Sequence, residues 1–380
     1  MKKVAVTATK YLLGILSLTS VFTLRAERPD HLWLGADISG TTFDEARGIF
    51  TADTAGNLTE NTRLMKQYGM DAVRLRVWVD PRGGWSAKED VLEMARRARK
   101  LGMEIMIDFH YSDWWADPEK QNIPAAWKNL SLEEMKKALA DHTEETLRLL
   151  KNDGIDVRWV QVGNETRNGF LWPMGRIDVG NMENIAAYAA LTTAGYDAVK
   201  RVYPDAQVIV HLDNGFDSAS FNTIFDGLKE YGGKWDTIGM SVYPYWAMLY
   251  NHEPDAASTI RDAIANIRQL HSKYGCEVMI VEVGVDSTTP AEGLDIMNSL
   301  FDAVINDADG ACTGVFYWAP EAFVTIDSEG NPRGYRLGAF TIEPSDPSNH
   351  NAKPYPPYVK EAPRPTVIMD SYTRAARMMR

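Results

Sequence analysis

The sequence predicts a (β/α)8 barrel, on three observations. Short β-branched or apolar runs recur eight times along its 380 residues, at 32–38, 72–77, 104–109, 158–162, 207–212, 237–242, 278–281 and 314–317. Most are apolar throughout, as strands covered on both faces must be. Longer stretches of helical period separate them, and the residues at or just past the runs' ends, Asp37, Arg76, His110, Glu165, Asp213, Tyr243, Glu282 and Trp318, follow one another at intervals of 30 to 55 residues. Strand, loop, helix and loop repeated eight times is the order of a closed parallel barrel. An open doubly wound sheet should carry a Gly-rich turn opening a helix after its first strand. Here Gly35-Ala36-Asp37-Ile38-Ser39-Gly40 opens none, and no P-loop pattern occurs.

Each helix has its own signal. Residues 90–101 carry an apolar stripe and a basic end, closed by Gly102. Residues 131–150 open on the capping box Ser131-Leu132-Glu133-Glu134 and continue amphipathic. Residues 182–202, 256–274 and 290–305 read the same way. Residues 342–365, rich in Pro, Asn and Ser, predict a long loop, and 366–379 predict the last helix. Ahead of the barrel, 1–26 contain no acid, begin with Lys2, Lys3 and Lys10, and hold an apolar stretch at 11–24. That is the layout of a cleaved export signal, too short to span a membrane. The expectation is an exported protein, periplasmic, surface-held or released, with one domain over 27–380.

With 45% apolar and 24% charged residues the chain is globular in composition, not disordered. A formal net charge of −12 with no basic block argues against nucleic acid and anionic membranes as partners. Two cysteines make no disulfide framework. Cys276 and Cys312 enter neighbouring strands at similar height, and barrel shear decides whether their Cα atoms come within about 7 Å of each other. The seven histidines show no HExxH spacing, and no GxSxG elbow occurs, so zinc hydrolysis and esterase chemistry are not expected.

A barrel places its site at the carboxyl ends of its strands. Gathered there are Asp37 and Ser39; Arg74, Arg76 and Trp78; Asp108, His110, Asp113 and Trp114; Asn164 and Glu165; Asp213 and Asn214; Tyr243; Glu282; and Trp318 and Glu321. Eight of the eleven tryptophans lie at or beyond such an end, while Trp33 and Trp159 are expected to fill the barrel. Aromatic faces beside carboxylates suit a neutral ligand with apolar faces and hydroxyl edges, such as a sugar polymer. Glu165 and Glu282 each end an apolar run, where a carboxylate is either functional or paired. Glycoside hydrolysis needs one protonated and one ionised carboxyl group. The alternative is that each glutamate forms a barrel-filling ion pair with Arg74 or Arg76.

These residues sit in longer motifs: Gly35-Ala36-Asp37-Ile38-Ser39, Val73-Arg74-Leu75-Arg76-Val77-Trp78, Asp108-Phe109-His110-Tyr111-Ser112-Asp113, Val162-Gly163-Asn164-Glu165, His211-Leu212-Asp213-Asn214-Gly215, Gly239-Met240-Ser241-Val242-Tyr243-Pro244, Val281-Glu282-Val283-Gly284 and Tyr317-Trp318-Ala319-Pro320-Glu321. Over about 34–340 the sequence resembles glycoside hydrolase family 53, endo-β-1,4-galactanases of arabinogalactan and pectic galactan. The resemblance implies a retaining enzyme with Glu165 as acid/base and Glu282 as nucleophile. It implies Asn164 on the sugar 2-hydroxyl, and Tyr243 with Arg74 holding Glu282 ionised. It further implies Asp37, Trp78, His110, Trp114, Asp213, Trp246 and Trp318 as substrate-binding residues, and a cis Trp318–Ala319 bond. The implied partner is β-1,4-galactan, the implied state a monomer without stable membrane insertion, and no cofactor is expected. Some bacterial members bind calcium in the loop after strand seven; here 285–290 are short and poor in oxygen ligands, leaving 327–331 as the other candidates. Related barrel glycanases acting on mannan or glucan, and a non-catalytic glycan-binding barrel, are the alternative readings.

Overall fold

The computed structural model describes residues 31–326, 329, 332–342 and 362–379. The expected export signal at 1–26 and most of the expected loop at 342–365 lie outside the described residues. Eight parallel strands close a barrel: β1 (Trp33–Asp37), β2 (Ala72–Val77), β3 (Glu104–Phe109), β4 (Trp159–Val162), β5 (Gln207–Leu212), β6 (Thr237–Val242), β7 (Glu277–Val283) and β8 (Cys312–Trp318). Closure joins β8 to β1, with Trp33 opposite Gly314 and Asp37 opposite Trp318. The strands are those the sequence predicts, with ends shifted by up to two residues.

The main helices follow in alternation: α1 (Asn61–Gln67), α2 (Lys88–Lys100), α3 (Leu132–Asn152), α4 (Ile185–Val202), α5 (Ser218–Glu230), α6 (Ala256–Tyr274), α7 (Pro290–Asp307) and α8 (Asp370–Met378). The Ser131 capping box forms as expected, its hydroxyl accepting from the Glu134 N–H while Glu134 reaches back to the Ser131 N–H. α1 was not expected. Its seven residues are too few to show a period, and Glu60 caps it by accepting the Arg63 N–H. Another short helix, Pro244–Leu249, directly follows Tyr243 and carries Trp246.

Residues alternate between the helix-facing and barrel-facing sides of each strand. The outward set packs against the helices as the large core. The inward set divides into two levels. The lower one is apolar, built from Ala72, Met106, Trp159, Ile209, Met279, Val281 and Phe316, with Trp33 against it. Gly35 is required there, since a Cβ would stand 2.3 Å from the Phe316 ring. The upper level is polar: Asp37, Arg74, Asp108, Gln161, His211, Ser241 and Glu282, all buried. Both β6–β7 and β7–β8 change register at Val281. This bulge lets Val281 face the apolar level while the adjacent Glu282 also turns inward, which strict alternation forbids. Cys276 and Cys312 are both free thiols.

Candidate active site

A cavity of about 730 Å³ opens at the carboxyl ends of the strands. Glu165 and Glu282 both face it, as do Asn164, Asp213, Tyr243, Trp246 and Trp318. Glu282 is gripped from two sides: Arg74 Nη2 lies 2.9 Å from Oε1, and the Tyr243 hydroxyl donates to Oε2 at 3.0 Å. Burial pushes the Glu282 carboxyl up to about 7, against the pull of Arg74. Arg74 is fully buried and uses its whole fork. It donates to Gln161 Oε1 at 2.8 Å, Asp37 Oδ2 at 2.7 Å and Asn164 Oδ1 at 2.8 Å, and stands 3.0 Å from Asp108 Oδ2. The choice between the two arginines is thereby settled by geometry. Arg76 lies over the Trp78 and Trp115 rings at 4.4 and 4.0 Å and reaches Ser86.

Glu165 sits in a different setting. It follows Gly163, whose φ of 88° and contact with Thr166 exclude a side chain, and is itself left-handed at φ 47°. No described cation touches its carboxyl group. Burial, then the charges of Glu282 and Asp213, hold it well above the usual carboxylate range, with a hydrogen bond from Ser241 (2.7 Å to Oε1) acting the other way. Two carboxyl groups are thus driven apart by their surroundings, one beside a guanidinium and a phenol, the other desolvated among acids. Asn164 is locked by Arg74 on its oxygen and by the Ala116 carbonyl, 2.8 Å from its nitrogen.

The remaining expected site residues divide. Asp213 is on the cavity wall, paired with Arg167 at 2.9 Å. Asp37 and Arg74 lie beneath the wall, supporting Glu282. His110 is buried under the loop after β3: its Nδ1 accepts the Ala116 N–H, so Nε2 carries the hydrogen and donates to Asp108 at 3.0 Å. Trp78 is 3% exposed and packs on Trp114, itself 56% exposed and edge-on to Trp115; neither Trp78 nor Trp114 lines the cavity. Glu321 faces a separate cavity of about 330 Å³ with Asn61 and Asp44.

Sequence reading missed Ser241, Tyr250, Arg167 and Tyr335, all of which line the main cavity. Ser241 stands two residues before Tyr243 on one strand face, which is a usable signal. Tyr335 comes from a segment with no period and no motif. Trp115 both carries Arg76 and lines the cavity. The Trp318–Ala319 bond, expected cis, is trans; the cis bond among the described residues is Trp172–Pro173. The chain turns after β8 through a left-handed Ala319, φ 45°, whose N–H is held by the Asp37 carbonyl at 3.0 Å. Among the described residues no cluster of three His, Cys, Asp or Glu side chains has metal-holding geometry, and Asp286 in the loop after β7 is engaged by Arg336.

A closed (β/α)8 barrel that brings one arginine-held and one desolvated carboxyl group to the same open cavity is the arrangement of a glycoside hydrolase. Comparison with known proteins agrees. The model of glycosyl hydrolase family 53 matches residues 33–293, and the chain belongs to that family. The chain is 35% identical over 252 residues to an uncharacterized protein of Niallia circulans, covering 66% of each. It is 30% identical over 316 residues to an endo-β-1,4-galactanase of Bacillus subtilis, covering 75% of this chain and 69% of that one. The solved family 53 catalytic domain of Ignisphaera aggregans superposes with a TM-score of 0.73 at 25% identity, covering 90% of this chain and 96% of that one.

Proposed function

We propose that this glycoside hydrolase is a retaining endo-β-1,4-galactanase. The observation that carries the mechanism is the unequal treatment of two carboxyl groups facing one cavity. Glu165, held protonated by burial and neighbouring acids, gives its proton to the glycosidic oxygen as the bond to the anomeric carbon breaks. Glu282, aimed by Arg74 and Tyr243, attacks that carbon and forms a glycosyl-enzyme. Water then attacks the same carbon, Glu165 takes its proton, and Glu282 is released. Asn164, pinned at the cavity wall with its second amide hydrogen engaged by no described group, is placed to hold the sugar 2-hydroxyl.

Galactan as substrate rests on family membership and the Bacillus subtilis relative's activity. Trp246 and Tyr250, 22° from parallel, and Trp115 and Trp318, 58° apart, supply aromatic walls to the cavity, and the tilt between the latter two suits a curling chain with an axial O4. Segment 1–26 and this substrate together favour export, with 27–380 as one catalytic domain acting as a monomer. The test is an assay on three polysaccharides with product chromatography. Internal cleavage of β-1,4-galactan to short oligosaccharides is expected, with viscosity falling early and carboxymethylcellulose and galactomannan untouched. Cleavage of glucan or mannan without galactan would overturn the substrate. Galactose as sole early product would overturn the endo mode.

A further inference from the structure

We propose that Ser241, backed by a neutral His211, is a positioning residue that selects which oxygen of Glu165 carries the transferable proton. The proposal rests on Glu165 being the acid/base and deepens that reading.

The direction of each hydrogen bond follows from its neighbour. Gln161 Oε1 accepts from Arg74 Nε at 2.8 Å, so the amide cannot be flipped, and its NH2 faces Asp108 Oδ1 at 3.0 Å and His211 Nδ1 at 3.1 Å. The Glu165 backbone N–H points at the same Nδ1, 3.3 Å away. Asn164 Oδ1, an acceptor held by Arg74, also lies 3.1 Å from Nδ1, but the two donors outnumber it and favour a bare nitrogen. Burial, then the nearby Arg74 charge, hold His211 well below the usual histidine range, so the ring is neutral and Nε2 bears its hydrogen. Nε2 lies 2.9 Å from Ser241 Oγ and donates to it. The serine hydroxyl must then spend its own hydrogen on Glu165 Oε1, 2.7 Å away. Glu165 backbone, His211, Ser241 and Glu165 carboxyl form a closed circuit with a single sense.

The consequence falls on Glu165. Oε1 is a committed acceptor; protonating it would leave Ser241 with two donors facing it and no acceptor for its own hydrogen. Oε2 accepts no hydrogen bond from a described residue, so the proton resides there. When it passes to the leaving oxygen, that oxygen keeps the electron pair of the broken C–O bond. The new carboxylate retains the Ser241 donor, which favours the charged form.

The other charged or titratable groups around Glu165 are Glu282 on β7, Asp213 after β5 with its partner Arg167, Asp117 after β3, Tyr243 at the end of β6 and Tyr335 beyond β8. The acids among them raise Glu165, and the Ser241 contact opposes them.

The experiment compares Ser241→Ala with wild type on aryl β-galactobiosides of graded leaving-group ability, across pH. The alkaline limb of kcat/KM should move up by about one unit, because a donor to the ionised form is gone. Turnover should fall at least about tenfold with a poor leaving group but no more than roughly threefold with dinitrophenolate, which needs little acid help. His211→Gln, whose side-chain NH2 can still donate to Ser241, should fall between the two. An unmoved alkaline limb, or equal loss on all leaving groups at unchanged Tm, would overturn the proposal. Glu165→Ala is the control: if it shows no leaving-group dependence, the acid/base reading itself fails.

Discussion

Arg74 Nη2 stands 2.9 Å from Glu282 Oε1, and the same guanidinium holds Asp37 and Asp108. One buried cation therefore serves three buried carboxylates, and removing it leaves like charges facing each other across the barrel. Arg74→Met should cost about 3–5 kcal/mol of stability, as breaking a buried pair does. It should also lower kcat/KM by roughly a hundred- to a thousandfold, the cost of losing one such preorganised electrostatic contact. Arg74→Lys restores the charge but not the fork, and should recover more stability than activity. Thermal unfolding and steady-state kinetics on the same preparations check both.

Glu165 and Glu282 should fail differently. Glu282→Ala should abolish turnover on every substrate. Glu165→Ala should retain slow attack on an activated aryl glycoside, and azide should accelerate it and yield a β-glycosyl azide. Product NMR decides: a β-glycosyl azide from Glu282→Ala, or an α-glycosyl azide from Glu165→Ala, would reverse the two assignments.

Trp246 lines the cleft beside Tyr250, their rings 6.1 Å apart and 22° from parallel. Trp246→Ala should raise KM for galactan by roughly 3- to 10-fold, the scale of one aromatic stacking contact. Its kcat should stay close to wild type, because the ring touches no group that changes charge. A kcat loss exceeding the KM change would place Trp246 in the chemistry instead of on the binding wall.

Glu321, 6% exposed beside Asn61, is pushed up to about 8 by burial. Its folded form therefore holds a proton that the unfolded chain releases near the ordinary glutamate value of 4.5. A raised folded value means that stability is fully present below the unfolded value and is lost as pH rises toward 8. The loss from this group is of the order of 5 kcal/mol at full ionisation. Glu321→Gln cannot ionise, so relative to wild type it should gain stability between pH 5 and pH 9. Denaturant unfolding at both pH values measures the difference, and a parallel pair of profiles would refute it.

By itself the sequence determined the eight strands, their order and the face each presents, because strands buried on both sides must be written in apolar residues. It also determined the two glutamates, since a carboxylate ending an apolar run needs a reason, and Asn164, Asp213, Tyr243, Trp246 and Trp318 around them. Tertiary structure decided which of Arg74 and Arg76 faces Glu282, because both share one strand face and only the fork's reach across four strands separates them. It decided that Asp37, His110 and Trp78 lie beneath the cleft wall, a matter of depth along the barrel that periodicity does not encode. The bulge at Val281 was also beyond the sequence: a two-residue period sends alternate side chains inward, and only the register with β6 and β8 shows that Val281 and Glu282 both turn that way. Tyr335 was beyond the sequence too, since the meeting of distant segments depends on how the closed barrel brings its loops together.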